Sequence, residues 1–267
     1  MRFGETFRYE LGYRLRSAST WLYGGFLLIM AFWVVHVSAT GSHTVTSNGP
    51  FHVAETTALF CGLFGMLVTA GLFSDAALRD RTAGMDPLLF TTRLRPAEYL
   101  GGRFLAALLV NAVLVVGTPL GLWFATLMPY LPPEAFGPNH VASYLQPVLL
   151  FTLPNLVLVG AILFAIAALT RQVIPVYLGA IAIFIGYLVA ASYWSAITNP
   201  ILSALADPLG INALREMTEY WTASERNARM VGFPAMLVWN RLLWLGIAGA
   251  IFALLARAFR FTEAASE

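Results

Sequence analysis

Residues 148–194 read VLLFTLPNLVLVGAILFAIAALTRQVIPVYLGAIAIFIGYLVAASYW, and Arg171 is their only charge. A helix needs about 20 mostly apolar residues to cross the hydrocarbon core of a bilayer. The runs on either side of Arg171 are both that long. Neither alternates apolar and polar residues in about ten-residue segments, as a membrane barrel strand does. Backbone amides in lipid must find partners within their own segment, which leaves the helix. The stretch therefore predicts two membrane-crossing helices joined by a short charged turn.

Equivalent gaps without Asp, Glu, Lys or Arg run from Arg16 to Glu55, Glu55 to Asp75, Arg103 to Glu134 and Arg241 to Arg257. The expected fold is an all-α polytopic membrane protein, one transmembrane domain over residues 1–267. Its six spans are expected at about 20–38, 54–74, 104–128, 148–170, 174–195 and 236–256. Composition agrees: of 267 residues 58% are hydrophobic and 11% charged, with mean hydropathy +0.71. A soluble domain has about 25% charged residues. These values exclude a disordered chain, a nucleic-acid binder with a broad basic face, and a soluble enzyme. One cysteine, Cys61, excludes a disulfide framework and a thiolate metal cluster.

All sixteen basic residues are arginine. With the N-terminus inside, Arg2, Arg8, Arg14, Arg16, Arg79, Arg81, Arg93, Arg95, Arg103, Arg171, Arg257 and Arg260 become cytoplasmic. Only Arg215, Arg226 and Arg229 lie in an outer loop, and short loops 39–53 and 129–147 have none. The positive-inside rule then places both termini in the cytoplasm. The first apolar run is too long for the core of a cleaved signal peptide, so no cleavage is expected.

Phe3, Phe7, Leu11 and Leu15 recur every four residues. They predict an apolar stripe on an interfacial helix over residues 1–18. The segment 75–103 is longer than a simple connection needs. Its Arg79, Asp80, Arg81, Thr82, Asp86, Leu88 and Leu89 combine mixed charge with a small apolar patch, which suits docking to a soluble partner. In the loop 196–235, Ile211, Leu214, Met217 and Trp221 have helical spacing, predicting short outer helices.

The catalytic inventory is nearly empty. No His-Glu-x-x-His or Gly-x-Ser-x-Gly is present, and without lysine no phosphate-binding Gly-x-x-x-x-Gly-Lys loop is possible. No catalytic, metal or cofactor site is therefore expected in this chain. His36, His43, His52 and His140 all fall on the expected outer side, and none stands four residues from another. The functional suspects are polar residues within the spans: Glu55, Asn111, Asn155 and Arg241. Glu55 and Arg241 are expected to pair across the outer third of the bundle or to snorkel separately. Asn111 and Asn155, each near a proline, are expected to glue helices together or to line a pathway.

In its order of parts the chain resembles the ABC-2 type permeases, the membrane halves of many ATP-binding cassette exporters. Phe7-Arg8-Tyr9-Glu10-Leu11 through Arg16 and Trp21 is similar to that family's opening. Arg79-Asp80-Arg81-Thr82 through Leu88-Leu89-Phe90-Thr91-Thr92, then Glu98-Tyr99-Leu100-Gly101-Gly102-Arg103, is similar to its loop between spans two and three. Arg93 departs from it, standing where proline usually follows. A narrower resemblance is to the permease portion of bacterial proteins fused to a family M1 aminopeptidase. It rests on Leu153-Pro154-Asn155, Leu163-Phe164, Asp207-Pro208-Leu209-Gly210, Tyr220-Trp221-Thr222, Glu225-Arg226-Asn227 and Asn240-Arg241-Leu242-Leu243-Trp244. No peptidase is expected in this chain, whose residues run about ten past the sixth expected span.

The resemblance implies an exporter subunit of the bacterial inner membrane. It implies a second permease half, identical or not, and a separate cytoplasmic ATPase that holds ATP and Mg. The loop beginning at residue 75 and the N-terminal helix would be the ATPase contacts. Two other classes stay open on the residues: a membrane scaffold or assembly factor that moves nothing, and an ion-coupled secondary transporter. The scaffold fits the lack of a clear polar pathway. The secondary transporter wants an ionisable midplane residue, which the spans lack.

Overall fold

Proline and glycine punctuate the helices. The computed structural model describes residues 3–39, 44–85, 95–194 and 197–259. Helix α1 (Phe3–Arg16) ends where Ser17 turns extended, and α2 (Ala18–Ser38) starts there as the first span. Pro50 opens α3 (Pro50–Leu63), and α4 (Gly65–Thr82) follows after a 42° bend at Phe64. Proline is tolerated at a helix start because its missing N–H would be unpaired there anyway. Pro96 likewise opens α5 (Pro96–Val115), which α6 (Gly117–Ala125) extends after a break at Val116.

The next span is built from α7 (Val141–Pro147), a π-turn over Val148–Thr152, and α8 (Leu153–Thr170). Pro154 has no N–H to give, and the Leu153 N–H reaches the Val148 carbonyl in a five-residue step. Arg171 then takes a left-handed conformation (φ 55°) and stops α8, so α9 (Ile174–Trp194) turns straight back. After α9 come three short helices: α10 (Pro200–Ala206), α11 (Ile211–Thr218) and α12 (Ala223–Ala228). Helix α13 (Ala235–Ala258) is the last span.

Five helical stretches are long and apolar enough to cross a membrane, six when the bent α3–α4 pair is counted as one span. The described residues contain no strand. The chain is an all-helical, multi-span membrane protein.

The spans divide into a centre and a rim. About 61% of the apolar window is buried in α5–α6 and in α7–α8, against 17–22% in α2, α9 and α13. Rim helices that expose Leu22, Ile29, Ile185, Val189 and Leu254 suit a lipid surround, not water. In the centre, Phe73, Phe104, Phe164 and Phe252 form an aromatic cluster with centroids 5.1–6.4 Å apart.

Helix α2 sits tightest against α6. Gly117 and Gly121 face it, and a Cβ on Gly121 would collide with the Leu28 carbonyl oxygen. Small residues four apart let two membrane helices approach backbone to backbone. Gly121→Leu is therefore expected to lose about 3 kcal/mol or more, read as an earlier unfolding midpoint in mixed detergent. Gly25→Ala, with open space around it, should stay within about 0.5 kcal/mol. Equal midpoints for the two would show that α2 is not seated through Gly121.

Several helices reach beyond the expected spans: α3 begins at Pro50 instead of 54 and the α7–α8 span at Val141 instead of 148. Helix α4 continues past residue 74 to Thr82, and α5 begins at Pro96 instead of 104, so the segment between them is shorter than 75–103. Both helices carry charges beyond the apolar run because those charges meet partners across the bundle, as follows.

Candidate functional site

Helix α1 turns a polar seam toward the protein. Thr6, Glu10 and Arg14 recur every four residues and all are buried, Glu10 at 0% exposure. Arg103, Arg79 and Arg14 converge on Glu10. Arg103 Nη2 lies 3.2 Å from it, Arg79 is in direct contact, and Arg14 Nε is 3.7 Å away. Asp75 pairs with Arg14 at 2.9 Å, and Asp80 pairs with Arg103.

Hydrogen bonds complete the network. The Tyr99 hydroxyl donates to Asp80 at 2.9 Å, and Arg103 Nη1 donates to the Ala76 carbonyl at 2.7 Å. The Arg79 guanidinium lies 3.9 Å above the Tyr13 ring. Burial pushes the Arg14 guanidinium below its usual value, against the pull of Asp75 and Glu10. Three arginines and three carboxylates thus close a neutral network. It locks α1, the end of α4 and the start of α5 into one unit. A cavity of about 220 Å³ opens beside it, at Thr6, Asp80, Met85 and Tyr99.

The docking candidates of the sequence separate here. Arg79 and Asp80 point into the network, while Arg81 and Thr82 are exposed at the end of α4. Asp86, Leu88 and Leu89 lie outside the described residues. Along the apolar stripe, Phe3 and Leu15 are exposed, Phe7 is half-buried, and Leu11 packs on the core.

Sequence reading missed Glu10, Arg14, Asp75, Tyr99 and Arg103. Two signals were present: Glu10–Arg14 and Asp75–Arg79 are both acid–arginine pairs four residues apart. Their convergence depends on where three helices pack, which spacing along one helix does not reveal.

A second network sits at the opposite end, where α10–α12 fold back over the spans. Arg241 on α13 donates to Asn155 Oδ1 at 2.9 Å and to the Pro208 carbonyl at 3.3 Å, and it also donates to Asn240. Asn240 in turn donates to the Ala204 and Asp207 carbonyls. Asp207 is fully buried and accepts from the Leu209 N–H at 2.9 Å and the Asn212 N–H at 2.7 Å. Burial holds its carboxyl above the usual range, while these N–H groups and Arg241 pull the other way. Gly210 has to be glycine twice over: its φ is +77°, and a Cβ would strike the Arg241 guanidinium.

Of the two alternatives for Glu55 and Arg241, pairing with each other or snorkelling separately, the structure does not show the pair. Glu55 instead meets Arg215 of α11 at 3.3 Å. The folded-back segment supplies each with a nearer partner. Asn155 also donates to the Leu209 carbonyl at 3.2 Å, so it fastens this segment to α8. Asn111 donates to Thr69 at 2.8 Å and joins α5 to α4. His36 stacks among Phe32, Trp33 and Tyr130, and His43 lies outside the described residues.

No family model matches the chain, and no curated protein does. Geometry and sequence therefore carry the functional reading.

Proposed function

We propose that the chain is a permease subunit of an ATP-binding cassette exporter in a bacterial inner membrane, of the ABC-2 type it resembles. Its termini and the α1 network then face the cytoplasm. A second permease half, identical or not, completes the pathway, and a separate subunit supplies ATP hydrolysis with Mg. The observation that supports this most is the ionic network among α1, α4 and α5. A push on the α4–α5 connection would reach α1, α4 and α5 together. Such a push shifts the bundle only if the ATPase binds one of its two states better.

Arg81 is the residue to test, because it is exposed at the end of α4 and charge reversal there leaves the buried network intact. Gentle extraction of the tagged chain from its native membrane should bring down a stoichiometric P-loop protein. Arg81→Glu should weaken that association at least tenfold. A clean complex without any ATPase would overturn the exporter reading.

One observation favours a non-transporting scaffold instead. Asn111, Asn155 and Arg241, three of the polar residues the sequence singled out, are each engaged in hydrogen bonds that tie segments of the bundle together. A co-purifying ATPase whose rate ignores every candidate substrate would favour that reading.

A further inference from the structure

The arginines of α1 fall into two sets. Arg14 is buried and paired, whereas Arg8 and Arg16 are exposed and meet no acid within ion-pair distance among the described residues. Arg8 and Arg16 line one cavity of about 480 Å³, together with Tyr9, Gly12, Tyr13 and Ser17. Positions 8, 12 and 16 stack on one side of the helix at successive turns.

Gly12 makes the notch between the two arginines. A glycine inside a helix costs up to about 1 kcal/mol relative to alanine. Nothing in the backbone asks for it, since Gly12 is not among the positive-φ glycines. No neighbour asks for it either, since a Cβ there would meet nothing within 4 Å. What Gly12 provides is room between two unpaired cations.

The surroundings of the notch are those of a bilayer's headgroup layer. Leu15 of the apolar stripe is exposed on the same turn as Arg16. Ser17 is the elbow where α1 turns into the first span, and Trp21 and Leu22 are exposed just beyond. Exposed tyrosine, tryptophan and arginine at the end of a span belong at that depth.

We infer that this notch binds the phosphate of an anionic lipid headgroup. Arg8 and Arg16 neutralise the phosphate, and Ser17 and the tyrosine hydroxyls supply further donors. Exposed Leu15 reaches toward the acyl chains below. The inference holds whether the bundle transports or scaffolds, so it does not fall with the exporter reading.

The test uses the full chain in vesicles of equal phosphatidylglycerol and phosphatidylcholine. After mild extraction, retained lipid is counted by native mass spectrometry. The natural chain should hold phosphatidylglycerol in preference. Arg8→Gln with Arg16→Gln should cut that preference about thirtyfold, as expected for two arginines near a charged surface. Gly12→Phe should cut it similarly although the charge is unchanged, which separates a shaped site from general attraction.

An unchanged preference in both variants would overturn the inference. Displacement of the lipid by millimolar inorganic phosphate would overturn it in favour of a free-phosphate site. If the double variant keeps its lipid but sheds a soluble subunit from native membranes, the face is a protein contact and the lipid assignment fails.

Discussion

Glu10→Ala is expected to cost about 3–5 kcal/mol, the usual consequence of leaving buried charges without their partner. Glu10 is fully buried and is approached by three arginines from three helices. Without it, those arginines share only Asp75 and Asp80. Asp75 is half-exposed and Asp80 is already paired with Arg103. The most economical escape is for α1 to leave the bundle and let water reach Arg14 and Arg79.

Two readouts follow. The unfolding midpoint in mixed detergent should fall, and trypsin should cut at Arg14, which is 2% exposed in the intact fold. Glu10→Ala with Arg79→Ala removes one charge of each sign, and should recover part of the loss because the two residues are directly coupled. Arg8→Gln, an exposed residue outside the network, should change stability by about 0.5 kcal/mol at most. A Glu10→Ala chain that resists trypsin like the natural one would show that the network does not hold α1.

The same network shows which features spacing along the chain reveals. Charge gaps expose the helical, multi-span character because a span must exclude charge over a length set by the bilayer. The apolar stripe Phe3, Phe7, Leu11 and Leu15 is equally visible. But the buried face of α1 is the polar row Thr6, Glu10 and Arg14. Apolar periodicity assumes that polar side chains seek water, and here they seek one another. The choice between water and a partner is made by Asp75, Asp80 and Arg103, which lie on other helices.

Helix breaks were legible to different degrees. The prolines at 50, 96 and 154 mark where helices start or change register. The bend at Phe64 has no proline, only Gly62 and Gly65 on either side, and α2 passes through Gly24 and Gly25 without a break, so the glycines alone do not announce it. Gly117 and Gly121 did carry a readable signal, two glycines four apart in an apolar run. Its meaning needed α2 to be placed against it.

The cap offers the other large effect. Arg241→Met is expected to detach α10–α12 from the spans, again at about 3–5 kcal/mol. Arg241 alone joins Asn155 of α8, Asn240 of α13 and the Pro208 carbonyl. Its loss also removes the positive charge beside Asp207, one of the influences that oppose the effect of burial on that carboxyl. Asp207 in the variant should then hold its proton to still higher pH.

The sign of the pH effect follows from that. A carboxyl whose folded pKa is raised contributes stability that is complete below its unfolded value of about 3.9. That contribution is lost as pH rises through the folded value. The variant's deficit should therefore be largest near neutrality and shrink in acid. Asp207→Asn should shrink it near neutrality and flatten its pH dependence, because the neutral side chain carries no charge to strand and keeps one acceptor for the Leu209 and Asn212 amides. Protease cleavage within residues 197–234, followed from pH 4 to pH 8, reads this directly. Cleavage of Arg241→Met that is equally fast across that range would show that the buried carboxylate is not what the arginine stabilises, and would leave its hydrogen bonds to Asn155, Asn240 and Pro208 as the whole of its role.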